Sequence, residues 1–120
     1  MLKLGKEKSQ IQVVSDQFGS PTYGKDLALT IIKFIETGTS EFGIYHFRNE
    51  GETSWYEFAK AIIEGTQCKA NIIPITSLEY ITLAKRPSFS VLDTSKIKRV
   101  LDIKIPKWEE SLKKAISNLV

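Results

Sequence analysis

A chain of 120 residues, 42% apolar and 26% charged, has room for one ordinary domain with a modest core and hardly for two. No apolar run approaches the roughly 18 residues of a membrane span, and residues 1–8 are too short and too charged for a secretion signal. The net charge of +3 is too thinly spread for a nucleic-acid surface, which needs a denser basic stripe or a recognisable module.

In chain order, residues 1–8 read as an uncapped, charged helical tail. Ile11, Val13 and Val14 make a short strand candidate, and the turn-rich run Ser15-Asp16-Gln17-Phe18-Gly19-Ser20-Pro21-Thr22 follows it. The spacing of Leu27, Ala28, Ile31, Phe34 and Ile35 predicts a helix over 23–37 with one apolar face. Thr22 is its expected N-cap, Asp26 a favourable first-turn charge and Gly38 its stop. Residues 43–48 read as a second strand, with His46 as a structural, hydrogen-bonded side chain, and Asn49-Glu50-Gly51-Glu52 closes it as a polar turn.

Ser54-Trp55-Tyr56-Glu57 is a capping box. It opens a helix that carries Phe58, Ala59, Ile62 and Ile63 on one face and ends at Gly65. Trp55 and Trp108 both lie on apolar helical faces and are expected in the core, with a platform for a ligand as the alternative. Ile72, Ile73 and Ile75 around Pro74 predict an edge strand, and Thr76-Ser77-Leu78-Glu79 a weaker box opening a single helical turn. Two last helices are expected at 94–101 and 107–119. The fold class is therefore α/β and helix-rich, with about four helices and two or three short strands in one domain, 1–120. The strands lack obvious local partners, so the sheet is expected to be completed elsewhere; parallel pairing within the chain is the alternative.

The second half of the chain is the electropositive one: residues 61–120 hold 10 Lys/Arg against 6 Asp/Glu, while residues 1–60 hold 7 against 8. Its most specific stretch is Lys85-Arg86-Pro87, where proline stiffens the backbone and biases Arg86 toward extended conformations. An oriented guanidinium suits bidentate recognition of a phosphate; a solvated turn is the other reading. Gln17 and Phe18 offer an amide and an aromatic face to a planar ring, with Phe18 as a packed plug the alternative. No GxGxxG turn, P-loop, GxSxG elbow, HExxH helix or Tyr-x-x-x-Lys pair occurs. One His and one Cys form no metal-ligand set, and the single Cys68 suits a reducing compartment. No catalytic, cofactor-binding or metal-binding residue is assigned.

Taken together, Asp16-Gln17-Phe18-Gly19-Ser20-Pro21-Thr22, Asp26-Leu27-Ala28, Gly43-Ile44-Tyr45-His46, Ser54-Trp55-Tyr56-Glu57-Phe58-Ala59, Lys85-Arg86-Pro87 and Ser90-Val91-Leu92-Asp93-Thr94-Ser95-Lys96 resemble dTDP-4-dehydrorhamnose reductases. These are extended short-chain dehydrogenases/reductases. The resemblance covers the whole chain, but only as the carboxy-terminal, substrate-side portion of the family, without the amino-terminal Rossmann half. It implies a parent protein that reduces dTDP-4-dehydro-L-rhamnose to dTDP-L-rhamnose with NADPH or NADH, in the cytoplasm, as the last step of dTDP-rhamnose synthesis. For this chain it implies no cofactor bound and no activity alone, with a dTDP-sugar and the missing Rossmann half as partners. The strand candidates without local partners imply self-association of the isolated piece, and the thin basic charge and short apolar runs leave neither nucleic acid nor membrane as an expected partner. The Gln17–Thr22 loop would line the substrate cleft, with Arg86 facing the diphosphate and Lys85 as a more mobile cation beside it. The regulatory subunit of methionine adenosyltransferase shares similar blocks and is the alternative relative, which would make the chain a non-catalytic partner-binding protein.

Overall fold

The structure, a computed structural model, describes residues 1–66 and 68–119. In chain order the elements are α1 (Leu2–Glu7), β1 (Gln10–Val14), β2 (Phe18–Gly19), α2 (Gly24–Thr37), β3 (Thr53–Ser54), α3 (Trp55–Glu64), β4 (Asn71–Ile75), α4 (Ser95–Leu101) and α5 (Trp108–Ser117). The helix-rich α/β character matches expectation, with a fifth helix, α1, where an uncapped helical tail was read. α1 crosses α3 at the buried Gly5, where an added Cβ would fall 2.7 Å from Ile63 Cδ1.

β1 and β4 pair in parallel, Ile11 opposite Ile72 and Val14 opposite Ile75. These two strands therefore find each other within the chain, which corrects the expectation that they lacked local partners. The long crossover between them, carrying α2 and α3, is what parallel pairing requires. Pro74 has no N–H to give, and β4 tolerates it because it has a single neighbour in this sheet. Ile11 of β1, Ile63 of α3 and Ala70 form one buried cluster, with Val13, Cys68 and Ile72 packed against it.

A second cluster gathers Ile97, Leu101 and Ile105, with Phe34 of α2 and Tyr45 and Phe47 against it. Phe34 meets the Tyr45 ring edge-on at 4.9 Å between centroids. The expected strand at 43–48 forms no ladder among the described residues. Its alternation is real, since Tyr45 and Phe47 are half-buried while Ile44 and His46 are exposed. Alternation reports one covered face; it does not supply a hydrogen-bonding neighbour. His46 is likewise an exposed side chain with no hydrogen-bond partner among the described residues, contrary to its structural reading.

The helix ends follow local chemistry in part. Ser54 Oγ accepts the Glu57 N–H at 3.1 Å and caps α3, as expected. Gly38 ends α2 in the left-handed region at φ 59°. Thr22 does not cap α2: the N-cap is Tyr23, whose N–H reaches Asn49 Oδ1 at 2.8 Å. A remote side chain thus replaces the local one.

The whole is a slab, 51 × 35 × 20 Å, with a radius of gyration of 16.7 Å. A spherical domain of this length would have about 13.6 Å. The thinness has a visible cause. Leu27, Ile31 and Ile35, read from sequence as a core-facing stripe of α2, are exposed to solvent, and Phe42 and Ile44 beside them are too.

Candidate functional site

Just beyond the carboxyl ends of β1 and β4, the chain brings the two most distinctive loops together. Phe18 N–H donates to the Ser88 carbonyl at 2.8 Å, and Ser90 N–H donates back to the Phe18 carbonyl at 3.0 Å. The other edge of Phe18 pairs with Ser54 in the β2–β3 ladder. Through its backbone, Phe18 thus ties the Gln17 turn, the Arg86-Pro87 stretch and the start of α3 into one unit. In parallel sheets this end of the strands is where ligands collect.

The unit walls a cleft of about 400 Å³ lined by Gln17, Trp55, Tyr80 and Arg86, with Val13, Met1 and Leu4 as its apolar floor. That volume suits a small organic ligand. Gln17 and Arg86, singled out from sequence, stand on the same wall, whereas the Phe18 and Lys85 side chains are exposed nearby and are not part of it. Trp55 corrects its assignment to the core. It is the first residue of α3, beyond the end of the packed stripe, and is 47% exposed. Trp108 is buried as expected, edge-on to Phe58 at 5.8 Å. Tyr80 carried no sequence signal; Trp55 could have been noticed as an apolar residue at an extreme helix end.

Among the described residues Arg86 has neither hydrogen bond nor ion pair. Asp93, seven residues along the chain, is already engaged: its carboxylate accepts the Ser95 hydroxyl at 2.7 Å and the Ser95 N–H at 3.0 Å, which hold it below the usual carboxylate range. Arg48 differs. Its guanidinium donates from Nε to the Leu92 carbonyl at 2.8 Å and from Nη1 to the Asn49 carbonyl at 3.0 Å, a clamp between two stretches of backbone.

The cleft's polar rim is ordered across the chain. Asp16, read as a local turn residue, instead accepts the Ser77 N–H at 3.0 Å and the Ser77 hydroxyl at 2.6 Å, clasping the ends of β1 and β4. These bonds hold its carboxyl below the usual range, so it is ionised at neutral pH. Gln17 Nε2 donates to Ser77 Oγ at 3.0 Å. Glu79 caps the next turn by accepting the Thr76 N–H at 2.7 Å. A larger hollow, about 670 Å³, opens elsewhere between α1 and the ends of α3 and α5. Its wall is mostly apolar, with Lys6 and Glu64 at the edge and no convergent polar set among the described residues. The rim around Gln17 and Arg86 has the better recognition chemistry.

All of residues 1–120 match the family model described as the RmlD substrate binding domain. The chain belongs to this family. A dTDP-4-dehydrorhamnose reductase of Aggregatibacter actinomycetemcomitans is 41% identical over 123 residues, covering 94% of this chain and 42% of that protein. The spore coat polysaccharide biosynthesis protein SpsK of Bacillus subtilis is 44% identical over 113 residues, covering 94% and 38%. Among solved structures, dTDP-4-dehydrorhamnose reductase from Bacillus anthracis in complex with NADP superposes with a TM-score of 0.89 at 39% identity, covering 99% of this chain and 41% of that one. The chain therefore spans about two-fifths of the length of these relatives.

The described residues of this RmlD-type domain do not fit a dinucleotide themselves. A pyrophosphate would need the glycine-rich turn between a strand and a helix N-terminus. Between β1 and α2 stand instead the ionised Asp16 and a Tyr23 N–H already bonded to Asn49.

Proposed function

We propose that this chain is the substrate-binding part of a dTDP-4-dehydrorhamnose reductase, which reduces dTDP-4-dehydro-L-rhamnose to dTDP-L-rhamnose with NADPH or NADH in the cytoplasm. The observation that carries the reading is Arg86: a guanidinium without a partner among the described residues, lining a cleft that also holds Gln17 and Trp55. A nucleotide sugar offers such a cleft a diphosphate for the cation and flat rings for the indole. The chain's own residues bind and orient; the nicotinamide and the proton donor would belong to a Rossmann half. That half would also cover the apolar side of the slab, where Leu27, Ile31, Phe34 and Ile35 form a groove with Tyr45 and Phe47.

The test is calorimetric titration of dTDP-rhamnose into the protein as its gene encodes it. Arg86→Ala should weaken binding by about 1.5–3 kcal/mol, the worth of a sheltered charge-assisted bond. Arg86→Lys should restore only part of this, since an ammonium lacks the two-pronged geometry. Unchanged affinity in a folded R86A protein would defeat the reading.

A further inference from the structure

Asp16, Ser77 and Gln17 form a chain of hydrogen bonds with a single direction. An ionised carboxylate only accepts, and Asp16 accepts both the Ser77 N–H and the Ser77 hydroxyl. The one hydroxyl hydrogen of Ser77 is thereby spent, so toward Gln17 its oxygen can only accept. It accepts from Gln17 Nε2 at 3.0 Å. The amide is thus oriented with its NH₂ toward Ser77, and its Oε1 is the end without a protein partner among the described residues. Gln17 lies on the wall of the cleft, with Trp55 and Arg86.

We propose that Gln17 is a specificity-determining residue that presents a carbonyl acceptor and selects a ligand bearing an N–H or O–H donor at that point, with Asp16 and Ser77 as the positioning residues that hold the amide in this sense. The proposal rests on the nucleotide-sugar reading of the cleft. A ligand offering an acceptor there would meet another acceptor and leave both groups unpaired, the situation against which binding sites discriminate most strongly. Three parts of a dTDP-sugar carry suitable donors: the imide N–H of the thymine ring, the 3′-hydroxyl of the deoxyribose and the hydroxyls of the hexose.

The discriminating variant is Asp16→Asn. Its Oδ1 can still accept the Ser77 N–H, which keeps the clasp. Its NH₂ now offers a hydrogen to Ser77 Oγ, frees the hydroxyl to donate to Gln17 Oε1, and turns the Gln17 NH₂ outward. Affinities for dTDP, N3-methyl-dTDP, 3′-deoxy-dTDP and dTDP-rhamnose should be measured in wild-type protein as its gene encodes it, and in D16N, S77A, S77T and R86A. If the base supplies the donor, N3-methylation should weaken wild-type binding about three- to tenfold. If the hexose supplies it, dTDP-rhamnose should exceed dTDP by a similar factor, and if the deoxyribose does, 3′-deoxy-dTDP should fall short of dTDP by as much. In each case the discrimination should collapse toward unity in D16N and S77A, and return in S77T. Discrimination identical in wild type, D16N and S77A overturns the proposal. In that event a loss of affinity in R86A leaves the cleft assignment standing, whereas an R86A protein that binds like wild type removes both.

Discussion

The Asn49 side-chain amide donates to the Asp26 carboxylate at 2.7 Å, and Asn49 is completely shielded from solvent. The same NH₂ group reaches Ser111 Oγ at 2.9 Å and the Pro106 carbonyl at 3.2 Å, while its Oδ1 accepts the Tyr23 N–H at 2.8 Å. One side chain therefore closes the N-terminus of α2 and joins it to α5.

Removing that side chain is the largest single-site effect expected in the fold. Asn49→Ala takes one partner each from the Tyr23 N–H, Ser111 and Asp26, although Ser111 still donates to Asp26, and should cost about 2–4 kcal/mol. Asn49→Asp keeps the shape but sets a second carboxylate against Asp26, and should recover part of its loss in acid, where one of the two takes a proton. Urea unfolding midpoints at neutral and acid pH measure both. A midpoint for N49A within error of wild type would show that the network is dispensable.

Gly51 is a second fixed point. Its φ of 89° lies in the region that side chains avoid, and an added Cβ would fall 3.0 Å from Cδ1 of the buried Trp108. Backbone strain and crowding act in the same direction here, with no gain in helix propensity to offset them. Gly51→Ala should therefore lose about 1–3 kcal/mol, read as a lower thermal midpoint together with a changed near-ultraviolet signal from the Trp108 ring.

Acid should loosen the neighbouring turn. Lys98 Nζ donates to the Glu50 carboxylate at 2.9 Å and holds its carboxyl below the ordinary value of 4.5. A depressed folded-state value means that the contribution is fully present above the unfolded value near 4.5 and is lost as pH falls through the lower, folded one. The pair remains in contact with water, with side-chain exposures of 40% for Lys98 and 31% for Glu50, so it contributes less than about 1 kcal/mol. Stability curves of wild type and Glu50→Gln should thus be separated at neutral pH and converge below pH 4.5. Parallel curves throughout would remove Glu50 from the acid response.

What the sequence disclosed, and what it hid, divides along the range of the interactions. The Ser54 cap, the Gly38 stop and the strands that became β1 and β4 all rest on contacts between near neighbours or on simple periodicity, and all were legible. So were Gln17 and Arg86 as residues of interest, through their turn and proline contexts. Their position on one wall was not legible, because it depends on Phe18 bonding to Ser88 and Ser90 some 70 residues along the chain. The Asp16–Ser77 clasp was hidden for the same reason. Trp55 and the α2 stripe were misplaced by a different cause. Periodicity identifies an apolar face, but whether another element covers it depends on the rest of the assembly.

That uncovered face leads to the last prediction, for the chain prepared by itself as residues 1–120. Ile35 is 73% exposed, Ile44 79% and Phe42 89%, and Leu27, Ile31 and Ile35 border the groove formed with Tyr45 and Phe47. A contiguous apolar surface of this kind is covered by association when nothing else covers it. The isolated chain should therefore self-associate. Sedimentation equilibrium over a hundredfold concentration range should give a mass that rises with concentration. The double substitution Ile31→Lys, Ile35→Glu should lower the association constant by tenfold or more. It should leave the far-ultraviolet spectrum intact, because both side chains already point to water and the changes place opposite charges one helical turn apart. An isolated chain that sediments as a monomer at every concentration would remove the argument that this face requires a cover.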